Sequence, residues 1–102
     1  MKVRFTVVVD NYNYAGFLPA AIAGVLGQTF TDWQLLVVDD GSTDHSLEVA
    51  REFIDPRCRV IAKPNGGQFS AFNAAMPYIE GEITCFLDAD DEYDANYLAR
   101  LD

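Results

Sequence analysis

Phe5-Thr6-Val7-Val8-Val9 decides the fold. The run is β-branched and aromatic with almost no polar alternation, the pattern of a strand buried on both faces of a sheet. Such burial needs helices above and below, and the segments after the strand must supply them. Asp10 to Gly16 is a polar interruption, after which Phe17, Ala21, Ile22, Val25 and Leu26 recur at helical spacing. Pro19 falls in the first turn, where its missing N–H costs nothing.

The unit then repeats. Trp33-Gln34-Leu35-Leu36-Val37-Val38 reads as a second strand, and Asp39 to Asp44 as its exit turn. Leu47, Ala50, Phe53 and Ile54 form the stripe of a second helix that Pro56 closes. Cys58 to Ala62 is a third strand, followed by the loop Lys63-Pro64-Asn65-Gly66-Gly67. A third helix runs from about Gln68 to Tyr78, with Pro77 expected to end or kink it. Ile83-Thr84-Cys85-Phe86-Leu87 is a fourth strand, breaking at Asp88-Ala89-Asp90-Asp91, with a last helix beginning near Asp94 or Ala95. Strand–helix alternation predicts an α/β fold: a Rossmann-like parallel sheet of about four strands with helices on both faces.

Composition agrees with one domain. The 102 residues are 50% apolar and 13% aromatic, which excludes a disordered chain and supports a modest core. Seven basic residues against 16 acidic ones give a formal charge of -9, so a nucleic-acid polymer is not an expected partner. No apolar run approaches the ~18–20 residues of a membrane span. Met1-Lys2 lead straight toward the first strand without a signal-peptide pattern. Cys58 and Cys85 sit in apolar contexts that suit buried thiols in a reducing, cytoplasmic setting, and nothing in the sequence requires them to pair.

In a parallel sheet of this kind, every strand-to-helix loop opens on one rim, and ligands bind in the crevice there. Nine of the sixteen acids fall in Asp10, Asp39 to Asp44 and Asp88 to Asp94, all at that rim. Carboxylates gathered this closely repel unless a cation or protons intervene. Asp88-Ala89-Asp90-Asp91 is a hard-oxygen set suited to Mg²⁺ or Mn²⁺. Such ions keep few protein ligands and complete their shell with water and substrate phosphate, so a metal diphosphate is the natural ligand. Asp39 can accept the N–H of a nucleobase, and Tyr12 offers either a ring to stack on it or plain packing. Asp44 and Asp94 read as helix caps, Gly66-Gly67 as a turn, and His45 as a surface or capping residue. An EF-hand fails because Tyr93 stands where its glycine belongs and Ala99 where its last acid belongs. No nucleophile–His–acid triad is present.

The ordered blocks Val7-Val8-Val9 into Tyr12-Asn13, Leu26-Gly27-Gln28-Thr29-Phe30, Val37-Val38-Asp39-Asp40-Gly41-Ser42-Thr43-Asp44, Asn65-Gly66-Gly67, Ser70-Ala71-Phe72-Asn73 and Gly81 through Asp91 resemble the N-terminal half of family 2 glycosyltransferases with the GT-A fold. They cover nearly the whole chain. The resemblance implies that residues 1–102 form the half that binds a nucleotide-diphosphate sugar, commonly a UDP-sugar, within a truncated GT-A domain. It implies nucleotide contacts from Asp10, Tyr12, Asp39 and Asp88, and a DxD metal site from Asp88 and Asp90 with Asp91 as a further ligand. It also implies inverting transfer to a carbohydrate or lipid-linked acceptor by a longer parent, cytoplasmic or at the inner face of a membrane. The general base is then expected beyond Asp102, leaving this piece with no catalytic residue of its own and an exposed edge open to self-association. Two departures stand out: Asp10 occupies a position where many members have Pro, and Phe72 and Ala75 stand where many have Arg and Gly. A non-catalytic scaffold is the alternative reading. A receiver-type signalling domain is a weaker one, because its acids would come after the first and third strands rather than the second and fourth.

Overall fold

A computed structural model describes residues 3–102. Met1 and Lys2, expected to form the approach to the first strand, lie outside the described residues. Four strands, β1 (Phe5–Asn11), β2 (Trp33–Asp40), β3 (Cys58–Lys63) and β4 (Ile83–Asp88), pair in parallel in the order β3-β2-β1-β4. The helices are α1 (Leu18–Leu26), α2 (Ser46–Arg51), α3 (Gln68–Ala75) and α4 (Tyr97–Leu101).

This order fixes where the helices go. The chain steps from β1 to β2 to β3 in one direction, then crosses back to place β4 on the far side of β1. Because crossovers are right-handed, reversing direction moves the connecting helix to the other face. Accordingly α1, α2 and α4 pack one side, where Val7, Val9, Leu35, Val37, Ile22, Val25, Ala50 and Leu98 form the main core. On the other side α3 covers a smaller core of Val8, Leu36, Val38, Ala71 and Ala75. Odd- and even-numbered strand residues therefore point to different layers, as the two-residue repeat of a strand demands. The reversal between β1 and β4 is a topological switch point, the place where a crevice opens beyond the strand ends.

Several boundaries differ from the sequence reading, each for a local reason. β1 and β2 continue to Asn11 and Asp40 rather than stopping at Val9 and Val38, because each acid finds a paired neighbour: Asn11 opposite Asp39, Asp10 opposite Asp88, Asp40 opposite Lys63. Helix α2 ends at Arg51, so Ile54 lies outside it and is 95% exposed instead of joining the stripe. Regular α3 stops at Ala75, and Pro77 sits in a 3₁₀ turn over Met76–Tyr78, consistent with its missing N–H. Helix α4 begins at Tyr97, later than expected, because Asp94 accepts from the Asn96 N–H (2.8 Å) in a turn of its own.

The thiols are free, and the topology says why. Cys58 and Cys85 occupy the same row of the sheet, through Leu35 and Val7, but on its two outermost strands. Three strand spacings put them roughly 14 Å apart, far outside disulfide reach. Burial raises both thiols' pKa, with Asp55 adding to the effect at Cys58.

Candidate functional site

Asp10 and Asp88 lie at the ends of β1 and β4 at the switch point and face each other in register. Both share the parity of Val8 and Phe86, which places them on the α3 side of the sheet end. Asp40 shares the parity of Val38 and falls on the same side. A cleft of about 460 Å³ opens there, lined by Asp10, Tyr12, Tyr14, Asp40, Asn65, Gly67, Gln68, Asp88, Ala89 and Asp90. Acids far apart along the chain thus share one depression, and three of them stand on strand ends rather than on loops.

Three of its walls have distinct chemistry. The first is the acidic turn after β4. Asp88, Asp90 and Asp91 are all exposed, and each offers a carboxylate oxygen within 4.8 Å of the others. Among the described residues no Lys or Arg forms an ion pair with any of them. Hard oxygen donors, mutual proximity and missing counter-charge together fit a Mg²⁺ or Mn²⁺ ion.

The second wall is Asp40, the neighbour of the Asp39 to which the sequence reading gave the nucleobase contact. It is 3% exposed and its carboxylate carries four donors. Lys63 Nζ (2.5 Å) and the Gly66 N–H (3.0 Å) donate to Oδ1; Asn65 Nδ2 (3.2 Å) and the Gly67 N–H (3.0 Å) donate to Oδ2. Burial alone would lift this carboxyl, but Lys63 and the two glycine N–H groups outweigh it and hold the pKa below the ordinary 3.8. Gly66-Gly67, expected to be only a turn, is therefore the backbone cradle of Asp40. Gly41 makes the arrangement possible: its φ is +71°, and a Cβ there would come within 3.0 Å of Asn65 Cα.

Asp39 itself does not line the cleft. It points to the opposite layer, 4% exposed, where Ser42 Oγ (2.6 Å), the Ser42 N–H (3.2 Å) and Asn11 Nδ2 (3.1 Å) donate to it. Its observed role is to close the turn after β2. Asn13, at φ 59°, extends that work: its side-chain oxygen accepts from the Thr43 N–H (2.8 Å), tying the two rim loops together. Asp44 likewise accepts from the Ser46 N–H (2.9 Å) at the start of α2 and from the Ala15 N–H (3.1 Å). His45 precedes α2 as an exposed residue whose side chain caps nothing.

Asp10 is the third wall and the opposite of Asp40. It is half-buried, and among the described residues no side chain donates to its carboxylate. Burial first, then the nearby Asp40 and Asp88, raise its pKa, with Lys63 opposing. Tyr12 is 44% exposed, so its ring is open to solvent rather than packed in the core. Beyond Asp10 the cleft adjoins an apolar cavity of about 320 Å³ lined by Val8, Phe69, Phe72, Phe86 and Leu87. Phe72 meets Phe86 edge-on there, with ring centroids 5.1 Å apart. An aromatic contact thus stands where the resemblance would put a cation.

Lys63, Asn65 and Tyr14 are rim residues that sequence reasoning did not assign. The available signal was their place in the first and third crossover loops or, for Lys63, at the strand end that leads into one, which the parallel topology brings to the same rim.

Comparison with known proteins gives the family and the fold. The family model described as "Glycosyl transferase family 2" matches residues 6–101. An uncharacterized glycosyltransferase of Nostoc sp. is 41% identical over 102 residues, covering 97% of this chain and 32% of that protein. The UDP-Glc:alpha-D-GlcNAc-diphosphoundecaprenol beta-1,3-glucosyltransferase WfgD of Escherichia coli is 36% identical, covering 91% of this chain and 37% of that protein. The crystal structure of S. aureus TarS 1-349 in complex with UDP-GlcNAc superposes with a TM-score of 0.89 at 29% identity, over 96% of this chain and 30% of that one. The mannosyltransferase PcManGT from Pyrobaculum calidifontis, in complex with GDP-Man and Mn²⁺, gives 0.84 at 26% identity, over 93% and 30%. The chain spans about a third of the length of each of these proteins.

Proposed function

From a chain that belongs to glycosyl transferase family 2, we propose the donor-binding half of an enzyme that moves a sugar from a nucleotide-diphosphate sugar, first of all a UDP-sugar, to an acceptor hydroxyl with inversion. The observation that carries this reading is the cleft at the switch point, whose lining includes exposed Asp88 and Asp90 of the acidic turn together with the open ring of Tyr12. The neighbours in complex with UDP-GlcNAc and with GDP-Man and Mn²⁺ support it.

In this proposal Asp88, Asp90 and Asp91 hold Mg²⁺ or Mn²⁺, which supplies charge neutralisation for a departing diphosphate. Tyr12 stacks on the base. Asp10, with its acceptor capacity unspent, takes a base or ribose donor. Asp40 is already saturated by four donors and fixes the wall between them. The acceptor, carbohydrate or lipid-linked, is met by a part of the parent protein outside residues 1–102, as is the carboxylate that takes its proton. A cytoplasmic setting, or the inner face of a membrane, belongs to the same proposal as what the family resemblance implies; no helix of the described residues is long and apolar enough to cross a membrane.

Titration calorimetry of the 102-residue chain with UDP, with and without Mn²⁺, tests this. Binding is expected to tighten with Mn²⁺, because the ion would offset repulsion between the acidic turn and the diphosphate, and identical isotherms would overturn the reading. Self-association is proposed as well, since β4 is an outer strand and Phe69 and Phe86 beside it are 87% and 57% exposed. Sedimentation velocity should show a concentration-dependent dimer; a strict monomer at high concentration would exclude it.

A further inference from the structure

The block Leu26-Gly27-Gln28-Thr29-Phe30 has no place in the cleft, yet Gln28 is 4% exposed and its carboxamide is spent on backbone groups, two of them distant in sequence. Gln28 Nε2 donates to the Gly24 carbonyl (3.0 Å) and to the Asp94 carbonyl (2.6 Å), while Oε1 accepts from the Leu98 N–H (3.0 Å). The two carbonyls and the N–H fix which end of the amide is which. Next to it, the Thr29 N–H donates to the Ala95 carbonyl (2.9 Å) and the Thr29 hydroxyl to Asn96 Oδ1 (2.9 Å). The end of α1 thus grips the segment Asp94–Leu98, which begins three residues after Asp91.

A second clasp lies inside the loop. Tyr93 Oη donates to the Phe86 carbonyl on β4 (3.0 Å), joining the strand that enters the acidic turn to the residue that leaves it. Gly24 of α1 closes the packing: a Cβ there would lie 3.3 Å from the Tyr93 carbonyl oxygen. Three carboxylates within a few ångströms repel, and a loop free at its exit would spread to relieve that repulsion. Both ends of this one are held.

We propose that Gln28, Thr29 and Tyr93 are positioning residues of the acidic turn: they fix its exit so that Asp88, Asp90 and Asp91 present their oxygens as one site before any ion arrives. The inference rests on the reading that this turn holds the metal of a metal–nucleotide complex. It gives the Gln28-Thr29 block a task that packing alone would not require, because the contacts made are polar and reach 66–70 residues along the chain.

The test compares the wild-type chain with Gln28→Met, Thr29→Val, Thr29→Ser and Tyr93→Phe. Calorimetry with UDP is run at zero and saturating Mn²⁺, and thermal unfolding reports whether each variant is folded. Loss of partners behind metal ligands typically weakens metal binding about 10–100-fold. Gln28→Met and Tyr93→Phe should therefore lose about tenfold in Mn²⁺-supported UDP affinity while the metal-free affinity stays put. Thr29→Val should shift the same way and Thr29→Ser should not. Folded Gln28→Met and Tyr93→Phe with wild-type Mn²⁺ dependence would overturn the inference; if Gln28→Met does not fold, Tyr93→Phe and the Thr29 pair decide it. A wild-type chain with no Mn²⁺ dependence would instead remove the metal–nucleotide reading itself, and this inference with it.

Discussion

Asp90→Ala is expected to abolish the Mn²⁺-dependent component of UDP binding, leaving whatever affinity the nucleotide has for the cleft alone. The arrangement of the turn is the reason. Asp88, Asp90 and Asp91 are exposed and, among the described residues, carry no Lys or Arg partner, so under the proposed function a divalent ion would supply the compensation. Mg²⁺ and Mn²⁺ use one or two protein carboxylates and leave other positions to water and phosphate. Deleting one of so few ligands should exceed the roughly 10–100-fold cost of disturbing a ligand's supporting partner. Asp90 also lines the cleft, as Asp88 does, whereas Asp91 does not, so Asp91→Ala should cost less than Asp90→Ala. Calorimetry with UDP at several Mn²⁺ concentrations measures both. Equal Mn²⁺ dependence in wild type and Asp90→Ala would place the metal elsewhere.

The adjacent acids of β2 show what the sequence could and could not reveal. That Asp39 and Asp40 would reach the ligand rim was legible, because an unbroken apolar run in a strand–helix repeat implies a buried parallel strand, and its exit is on the rim. Which of the two faces the cleft was not legible. Consecutive strand residues point to opposite layers, and two identical letters carry no mark of their layer. The answer depends on where β4 enters the sheet: beside β1, it places the crevice on the α3 side, which selects the even-numbered Asp10, Asp40 and Asp88. Pairing also decided the strand ends. A polar residue such as Asp10 reads locally as the start of a loop, yet a neighbour in register keeps it in the sheet. That the three carboxylates of the acidic turn meet was legible, by contrast, because they are close in sequence and need no register; what holds the exit of that turn, Gln28 and Tyr93, was not. Gly66-Gly67 lay between these cases: the turn was visible, and the carboxylate it cradles comes from another strand.

Asp40→Ala should be the most damaging single change at the rim for stability, although the side chain is short and polar. Removing it strands Lys63, which keeps only the Pro64 carbonyl, and leaves the Gly66 and Gly67 N–H groups facing an empty position. Breaking a buried charge pair from one side costs about 3–5 kcal/mol, because the remaining groups stay desolvated without partners. For a domain of this size the lower figure lowers Tm by roughly 12 °C or more. The pH dependence carries a sign. Because Asp40's pKa lies below its ordinary value in the folded chain, its contribution is complete above about pH 4 and is lost as pH falls through the lowered pKa. Asp10 runs the other way: its raised pKa means that its ionised form opposes folding, and protonation in mild acid relieves that strain. The gap in Tm between wild type and Asp40→Ala should therefore be widest at neutral pH and narrow below about pH 4, even while protonation of Asp10 partly protects both chains. A gap that is constant from about pH 7 to about pH 3 would mean that the Asp40 carboxylate's charge does not hold the Gly66-Gly67 turn in place.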